Sequence, residues 1–367
     1  MTRVILLGGF LGAGKTTTMI KSALKLEEQG YRVGIVTNDQ GKELIDTELA
    51  KTNGLNAKEV TGGCFCCQFD DLYTHLDTIA KEEQPDVIIA EAVGSCTDLA
   101  ATVIQPLKQY YSKDFKTAPL TIIVDPARLL HELNMTNQTT PIFSQSVSYI
   151  FEKQLAEADI IVLNKLDRYS EKEVNDIYKY LEDRYPQTMI QTISAERGDN
   201  LEKLTETWLT TDLGGDKVLD IDYDLYAEGE AQLAWMNILG DIKASNNIDP
   251  HIWAENFLKI LNNHFIREKM AIAHLKIHLG FENGFVKASM VHTGDQPTFT
   301  EKNVKEGTHF RVVLNIRIES SPALLNLAVA DAIASTDKIL KSKWSETYNE
   351  CFSPLPPKPV HRLYKAV

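Results

Sequence analysis

The stretch "VILLGGFLGAGKTT", residues 4–17, runs from a short apolar segment into a glycine-rich loop that ends in a lysine and two threonines. Gly9, Gly14, Lys15 and Thr16 fit G-x-x-x-x-G-K-[ST], with a strand-like segment before the loop and a helix-like one after it. Glycine tolerates backbone angles that a Cβ forbids, so amide N–H groups can turn inward on phosphate oxygens beside a helix N-terminus. In that role Lys15 neutralises the β and γ phosphates and Thr16 offers its hydroxyl to Mg²⁺. A glycine-rich turn with a chance lysine is the alternative, and the flanking pattern leaves it little room.

Outward from this loop, short apolar runs alternate with helix-like segments as far as residue 212. Residues 4–7, 32–36, 87–90, 120–124, 160–163 and 189–193 read as strands, short and apolar on both faces as buried parallel strands are. Residues 15–29, 70–83, 171–184 and 200–209 read as helices. The alternation predicts an α/β domain over 1–212 with a doubly wound, mostly parallel sheet. Residues 213–230, "LGGDKVLDIDYDLYAEGE", read as an acidic linker. Residues 231–367 change rhythm and predict a smaller α+β domain. Helical patterns are expected at 231–244 and 251–265, and strands at 273–281 and 285–292 around "ENG". A further strand is expected at 310–319 and a helix at 322–341. The tail "SPLPPKPVHRL" (353–363) reads as extended.

The 367 residues carry 38 Lys plus Arg against 51 Asp plus Glu, a formal net charge of −13, and no basic run offsets it. Nucleic acid and anionic membrane are therefore poor partners. No run of eighteen apolar residues predicts a transmembrane helix. The N-terminus lacks a small-residue cleavage site, so it is not read as a signal peptide. Five cysteines, mostly clustered, do not make a disulfide framework, and a reducing cytoplasm fits them.

"NKLD", Asn164 to Asp167, closes the apolar run 160–163 and has the form N-K-x-D. An aspartate there can accept from the ring N–H and exocyclic amine of guanine, a pair that adenine lacks. "ISAERG" (193–198) follows the last strand, and Ser194 and Ala195 are its candidate base-side contacts beside Asn164, Lys165 and Asp167. Two acids close other strands, Asp39 after "IVTN" and Glu91 after "DVIIA". Ligands in open α/β sheets lie outside the carboxyl ends of the strands, so both are candidate Mg²⁺ and catalytic groups with Lys15. Helix capping is the alternative for each. Asp46 is a weaker member of the same segment. Gly94 is placed to present its N–H to the γ-phosphate. No glutamine stands out to position water, so intrinsic hydrolysis is expected to be slow.

"TGGCFCC" (61–67) packs three of the five cysteines into four residues. Adjacent Cys66 and Cys67 would form a strained bridge, and buried structural thiols would be scattered. Soft thiolates in one loop fit a transition metal. Three donors leave a tetrahedron incomplete, which suits exchange or a fourth ligand. Cys96, in "EAVGSC", is the candidate fourth, and a small buried thiol at a helix start is its other reading. Cys351 reads as structural. His274 and His278 flank Lys276 on one strand face, expected to be solvated, with metal binding as the alternative.

Taken in order, "GFLGAGKTT", "GGCFCC", "EAVG" and "NKLD" resemble the CobW-like GTPases, relatives of UreG and HypB, over about residues 1–210. The resemblance implies GTP hydrolysis coupled to handling Zn²⁺ or Co²⁺ for a client metalloprotein or cofactor enzyme. It implies that Gly12, Ala13, Gly14, Lys15, Thr16 and Thr17 bind phosphate, that Glu91 and Thr16 serve Mg²⁺, and that Cys64, Cys66 and Cys67 take the metal. The chain departs from the pattern at "TNDQG", where a glutamate-containing segment is usual, and it lacks a histidine-rich linker.

The expectation is a GTP-gated metal carrier, with a homodimer formed in a nucleotide-dependent way. One rival is a conformational GTPase that serves a cofactor enzyme, for example a corrinoid one, with a permanent structural metal at the cysteines. Another is a metal sensor that uses GTP as a structural ligand. "NKLD" disfavours a P-loop kinase.

Overall fold

The computed structural model describes residues 1–39, 55, 57–132, 143–212, 214–281 and 284–367, with the backbone alone at Asp39 and Glu132. Asp46, the Asp39 side chain, Gln40 and Gly41 of "TNDQG", Leu213 and the turn residues Glu282 and Asn283 lie outside what is described. The chain divides into two units, Met1–Gly229 with Pro356–Val367, and Glu230–Leu355.

In the first unit, strands β1 (Thr2–Gly8), β2 (Val33–Asp39), β3 (Ala57–Thr61), β4 (Val87–Glu91), β6 (Thr121–Val124), β7 (Ile160–Leu163) and β8 (Met189–Thr192) stand in the order β3-β2-β4-β1-β6-β7-β8. Every pairing among them is parallel, and the short β5 (Phe115–Thr117) adds to β1. The residues of β4, β6 and β7 are buried and mostly apolar because both faces are covered, whereas the edge strand β3 carries Lys58 and Glu59. Helix α1 (Lys15–Glu28) shows how: Met19, Ile20, Ala23 and Leu26 fall on one stripe and pack with Ile5, Leu7, Ile89 and Ile123. Each large aliphatic so buried contributes about 1.5–3 kcal/mol. Since β1 lies between β4 and β6, the loop leaving its carboxyl end is flanked by Glu91 at the end of β4 and Asp125 just after β6. Helices α2 (Phe69–Glu82), α3 (Gln105–Tyr111), α4 (Pro126–Glu132), α5 (Gln145–Glu157), α6 (Glu171–Arg184), α7 (Leu201–Thr210) and α8 (Tyr223–Gln232) complete the described elements up to residue 232, with a turn of π-helix, Ala100–Ile104, before α3 and a turn of 3-10 helix, Leu166–Arg168, after β7. Part of the expected linker is thus helical.

The second unit holds an antiparallel sheet in the order β12-β11-β10-β13-β9-β14. Its strands are β9 (Leu233–Ile248), β10 (Ala271–Phe281), β11 (Gly284–Met290), β12 (Thr298–Lys302), β13 (Gly307–Glu319) and β14 (Ser342–Phe352). Helices α9 (Pro250–Glu268) and α10 (Pro322–Leu340) share its core through Trp253, Phe257, Leu261, Leu325 and Val329. The helix expected over 231–244 is instead β9. Its first eight residues are all buried, so the apolar run carries no alternation, and such a run cannot be told from a buried helix by period alone. His274 and His278 are half-buried on β10, opposite Leu275, Ile277 and Leu279, and the His278 ring stacks on Phe285. The proline-rich tail, read from sequence with the second domain, groups with the first unit, because its backbone and Arg362 bond to loops there. Among the described residues, no helix is long and apolar enough to cross a membrane.

Candidate nucleotide and metal site

The phosphate loop is assembled as its glycines require. Gly14 caps α1 with φ 93° and Gly9 has φ 124°, both in the left-handed region. A Cβ on Gly14 would meet Asn164 Nδ2 at 2.4 Å, and one on Gly9 would meet the Ile123 carbonyl oxygen at 2.1 Å. Lys15 Nζ donates to the Gly9 carbonyl at 2.8 Å. Thr16 Oγ1 donates to Glu91 Oε1 at 2.9 Å, with both residues buried. Asp39 ends β2, two strands from β1. Gly94 lies against the phosphate loop, since a Cβ there would meet the Leu11 nitrogen at 3.0 Å. Gln154 Nε2 holds the Gly94 and Cys96 carbonyls at 3.0 and 2.7 Å.

On the base side, Asn164 Nδ2 donates to the Ala13 carbonyl at 3.0 Å and Asn164 Oδ1 accepts from Ala195 N at 3.0 Å. One side chain thus ties the phosphate loop to "NKLD" and to the loop after β8. Lys165, left-handed at φ 63°, donates to the Gly12 carbonyl at 2.8 Å and to Asp125 Oδ2 at 2.6 Å. Burial draws the Lys165 ammonium below its usual range against the pull of Asp125. Ser194 Oγ donates to Asp167 Oδ1 at 2.5 Å and accepts from Arg197 N at 3.2 Å, which fixes the carboxylate's direction.

The thiols converge. Cys64 Sγ is 2.7 Å from Cys66 Sγ and 3.3 Å from Cys67 Sγ, and Cys66 and Cys67 are 3.7 Å apart. Among the described residues they form the cluster of three metal-ligating side chains. Hydrogen bonds from Cys66, Cys67 and Cys96 hold the Cys64 thiol well below its usual range, against burial. The bond to Cys64 pushes Cys66 well above that range and Cys67 up to about 11. Three mutually hydrogen-bonded thiols in one loop are the kind of soft donor set that binds a transition metal. Cys96 brings its thiol to Cys64 and Cys66 from the loop that begins at Glu91. The separation in chain between the Thr16 partner and this thiol is five residues. Cys351 lies in the second unit, half-buried, its Sγ 3.5 Å from the Pro322 carbonyl.

A family model described as "CobW/HypB/UreG, nucleotide-binding domain" matches residues 3–191, just over half of the 367. The chain belongs to this family. Its match to "Zinc chaperone YeiR" of Escherichia coli (strain K12) is 32% identical over 171 residues, covering 46% of this chain and 48% of that protein. Its match to "Zinc chaperone CobW" of Sinorhizobium sp is 30% identical over 215 residues, covering 51% and 58%. The chain thus spans about half the length of these curated relatives. A crystal structure of HypB from Helicobacter pylori in complex with nickel covers 56% of this chain and 84% of its own, at 16% identity and a TM-score of 0.40.

Within this CobW/HypB/UreG domain, the sequence reading passed over two residues. Asp125 closes "TIIV" as Glu91 closes "VIIA", so the acid-after-strand signal was present. Asn38, beside Asp39, grips the thiol loop: its Nδ2 donates to the Val60 and Gly63 carbonyls at 3.0 and 2.7 Å, and its Oδ1 accepts from Phe65 N at 2.9 Å. No motif marks it.

Proposed function

We propose that the chain is a GTP-hydrolysing metal carrier in which the nucleotide state sets how tightly the thiol loop grips its ion. The observation that carries this reading is the path from Thr16 through Glu91 to Cys96, which contacts the cysteine cluster. Asn38 gives a second path, since it stands one residue before the end of β2 and holds the loop that bears the thiols.

The phosphate loop's inward amides, with Lys15, take the β and γ phosphates. Asp167, oriented by Ser194, reads the guanine edge, and Asn164 and Ala195 frame it. Thr16 and Glu91 are the hard oxygen donors that would hold Mg²⁺, with Asp39 as a further candidate. Mg²⁺, when bound, neutralises charge on the phosphates. Cys64, Cys66 and Cys67 take the cargo, and Cys96 is the candidate fourth donor as its loop responds to the third phosphate. Zinc is the first candidate because the similar proteins are named zinc chaperones, with Co²⁺ next. Cys66 and Cys67 must shed protons to bind, so affinity rises with pH. The cargo goes to a client metalloprotein or cofactor enzyme. A reducing cytoplasm is the compartment in which these thiols stay free, and dimerisation with nucleotide is the expected assembly.

Equilibrium Co²⁺ titration by thiolate charge-transfer absorbance tests this, with a non-hydrolysable GTP analogue or with GDP. An affinity ratio of about 100 between the two states corresponds to about 2.7 kcal/mol. Equal affinity in both states would point instead to a structural metal. A spectrum that survives replacing Cys64, Cys66 and Cys67 by serine would remove the carrier reading.

A further inference from the structure

The last twelve residues follow the second unit's final strand yet fold onto the first unit, across the thiol loop. Residues 356–359 read Pro-Pro-Lys-Pro. Proline has no N–H, so Lys358 supplies the single backbone donor in that run. That N–H lies 3.1 Å from Cys67 Sγ. Val360 N donates to the Cys66 carbonyl at 2.9 Å. The His361 ring sits edge-on to Phe69, centroids 5.0 Å apart, at the start of the helix that follows the cysteines.

The next residues engage the other loop. Arg362 Nε donates to Asp98 Oδ2 at 2.7 Å, with the Asp98 side chain 1% exposed. Asp98 is left-handed at φ 66°, an uncommon conformation for a residue with a Cβ. Tyr223 OH donates to the same carboxylate at 2.7 Å. Leu363 N then donates to the Ala101 carbonyl at 3.0 Å. Two residues before Asp98 stands Cys96, and seven before it Glu91. Between Lys358 and Leu363, three tail residues therefore touch the thiol loop or the helix that follows it, and two touch the segment that starts at the Thr16 partner. The prolines hold the leading end extended, which lowers the entropy lost in keeping it there. A tail that served only to cover apolar surface would not need the one backbone N–H of residues 356–359 aimed at a sulfur and an arginine paired with a buried acid.

We infer that Pro356–Val367 is a strap that joins the thiol loop to the loop after Glu91, with the Lys358 N–H and the Arg362 guanidinium as positioning contacts. The N–H fixes the direction of the Cys67 sulfur, and Arg362 ties that contact to the Asp98 end of the nucleotide-facing loop. Movement of that loop then reaches Cys67 through the strap, as well as reaching the cluster through Cys96. The inference rests on the carrier reading above.

The test uses full-length protein and Co²⁺ alone as the probe, titrated with the GTP analogue and with GDP. Lys358→Pro removes one donor and keeps the extended backbone. It should shift the thiolate charge-transfer band and weaken Co²⁺ binding in the GTP state. Arg362→Ala should bring the GTP-to-GDP affinity ratio to within about threefold of unity, about 0.7 kcal/mol. Arg362→Lys, which keeps a cation opposite Asp98, should restore most of the ratio. Thermal unfolding and GDP affinity show whether each variant is folded. If Arg362→Ala is not, the band shift in Lys358→Pro decides. A folded Arg362→Ala with the wild-type ratio, or a Lys358→Pro band at the wild-type position, overturns the strap. Absence of any charge-transfer band in wild type overturns the carrier reading itself, and the strap with it. A wild-type band whose affinity ignores the nucleotide removes the coupling and leaves the metal site.

Discussion

Thr16 Oγ1 and Glu91 Oε1, 2.9 Å apart, join the first turn of α1 to the last residue of β4. A hydroxyl and a carboxylate buried together at the mouth of a phosphate loop form an oxygen pair whose charge matters when phosphate charge is present. Glu91→Ala should lower GTP turnover about 100-fold or more. It should leave guanine over adenine selection unchanged, because Asp167, the proposed base reader, lies on another loop. Phosphate release and nucleotide competition check both halves. Loss of selection would show that Glu91 acts elsewhere.

Asp167 and Ser194 predict the complementary result. The Asp167 carboxylate is held by Ser194 at 2.5 Å, and on the proposed reading it supplies the acceptors that select guanine over adenine. Asp167→Ala should reduce the GTP-over-ATP preference about 100-fold or more, measured by competition. The Glu91 step itself should be spared, so turnover at saturating GTP should fall far less than in Glu91→Ala. A preserved preference would mean that "NKLD" serves only to brace the phosphate loop through Asn164 and Lys165.

What could be read from sequence was local chemistry. The phosphate loop, "NKLD" and the thiol triplet each announce themselves within eight residues, and the strands around them are apolar runs bounded by breakers. What could not be read depends on partners far along the chain. Asn38 is an ordinary strand-end asparagine until β3 pairs beside it and brings Val60, Gly63 and Phe65 within reach. β9 reads as a helix until β13 and β14 are seen on either side of it. The tail's prolines foretell extension, but not that Lys358 ends at Cys67, 291 residues earlier.

Asn38→Ala should loosen the thiol loop without unfolding the sheet. It leaves the Val60 and Gly63 carbonyls and the Phe65 N–H without their side-chain partner in a buried setting. One such loss costs about 1–3 kcal/mol. The expected result is a melting temperature lowered by a few degrees, with Co²⁺ affinity reduced in both nucleotide states. Wild-type Co²⁺ affinity in a folded variant would show that the loop holds its shape by other means.

Glu157 gives a pH dependence with a definite sign. Its carboxylate is fully buried, accepting from Thr97 Oγ1 at 2.9 Å and Ala100 N at 3.0 Å. Burial, reinforced by neighbouring Asp98, pushes it up to about 8, against its donors' pull. In the unfolded chain the same group releases its proton near the ordinary glutamate value of about 4.3. Between those values the folded state holds a proton that the unfolded state has lost, so stability must fall as pH rises. The slope for one group is at most about 1.4 kcal/mol per pH unit, and above about pH 8 it levels off. Glu157→Gln cannot titrate. Its unfolding free energy, subtracted from that of wild type at each pH from 5 to 9, should give a difference that declines through neutrality and then flattens. Subtraction removes the other titrating groups, so a flat difference across the whole range would mean that Glu157 stays ionised, held by its donors despite its burial.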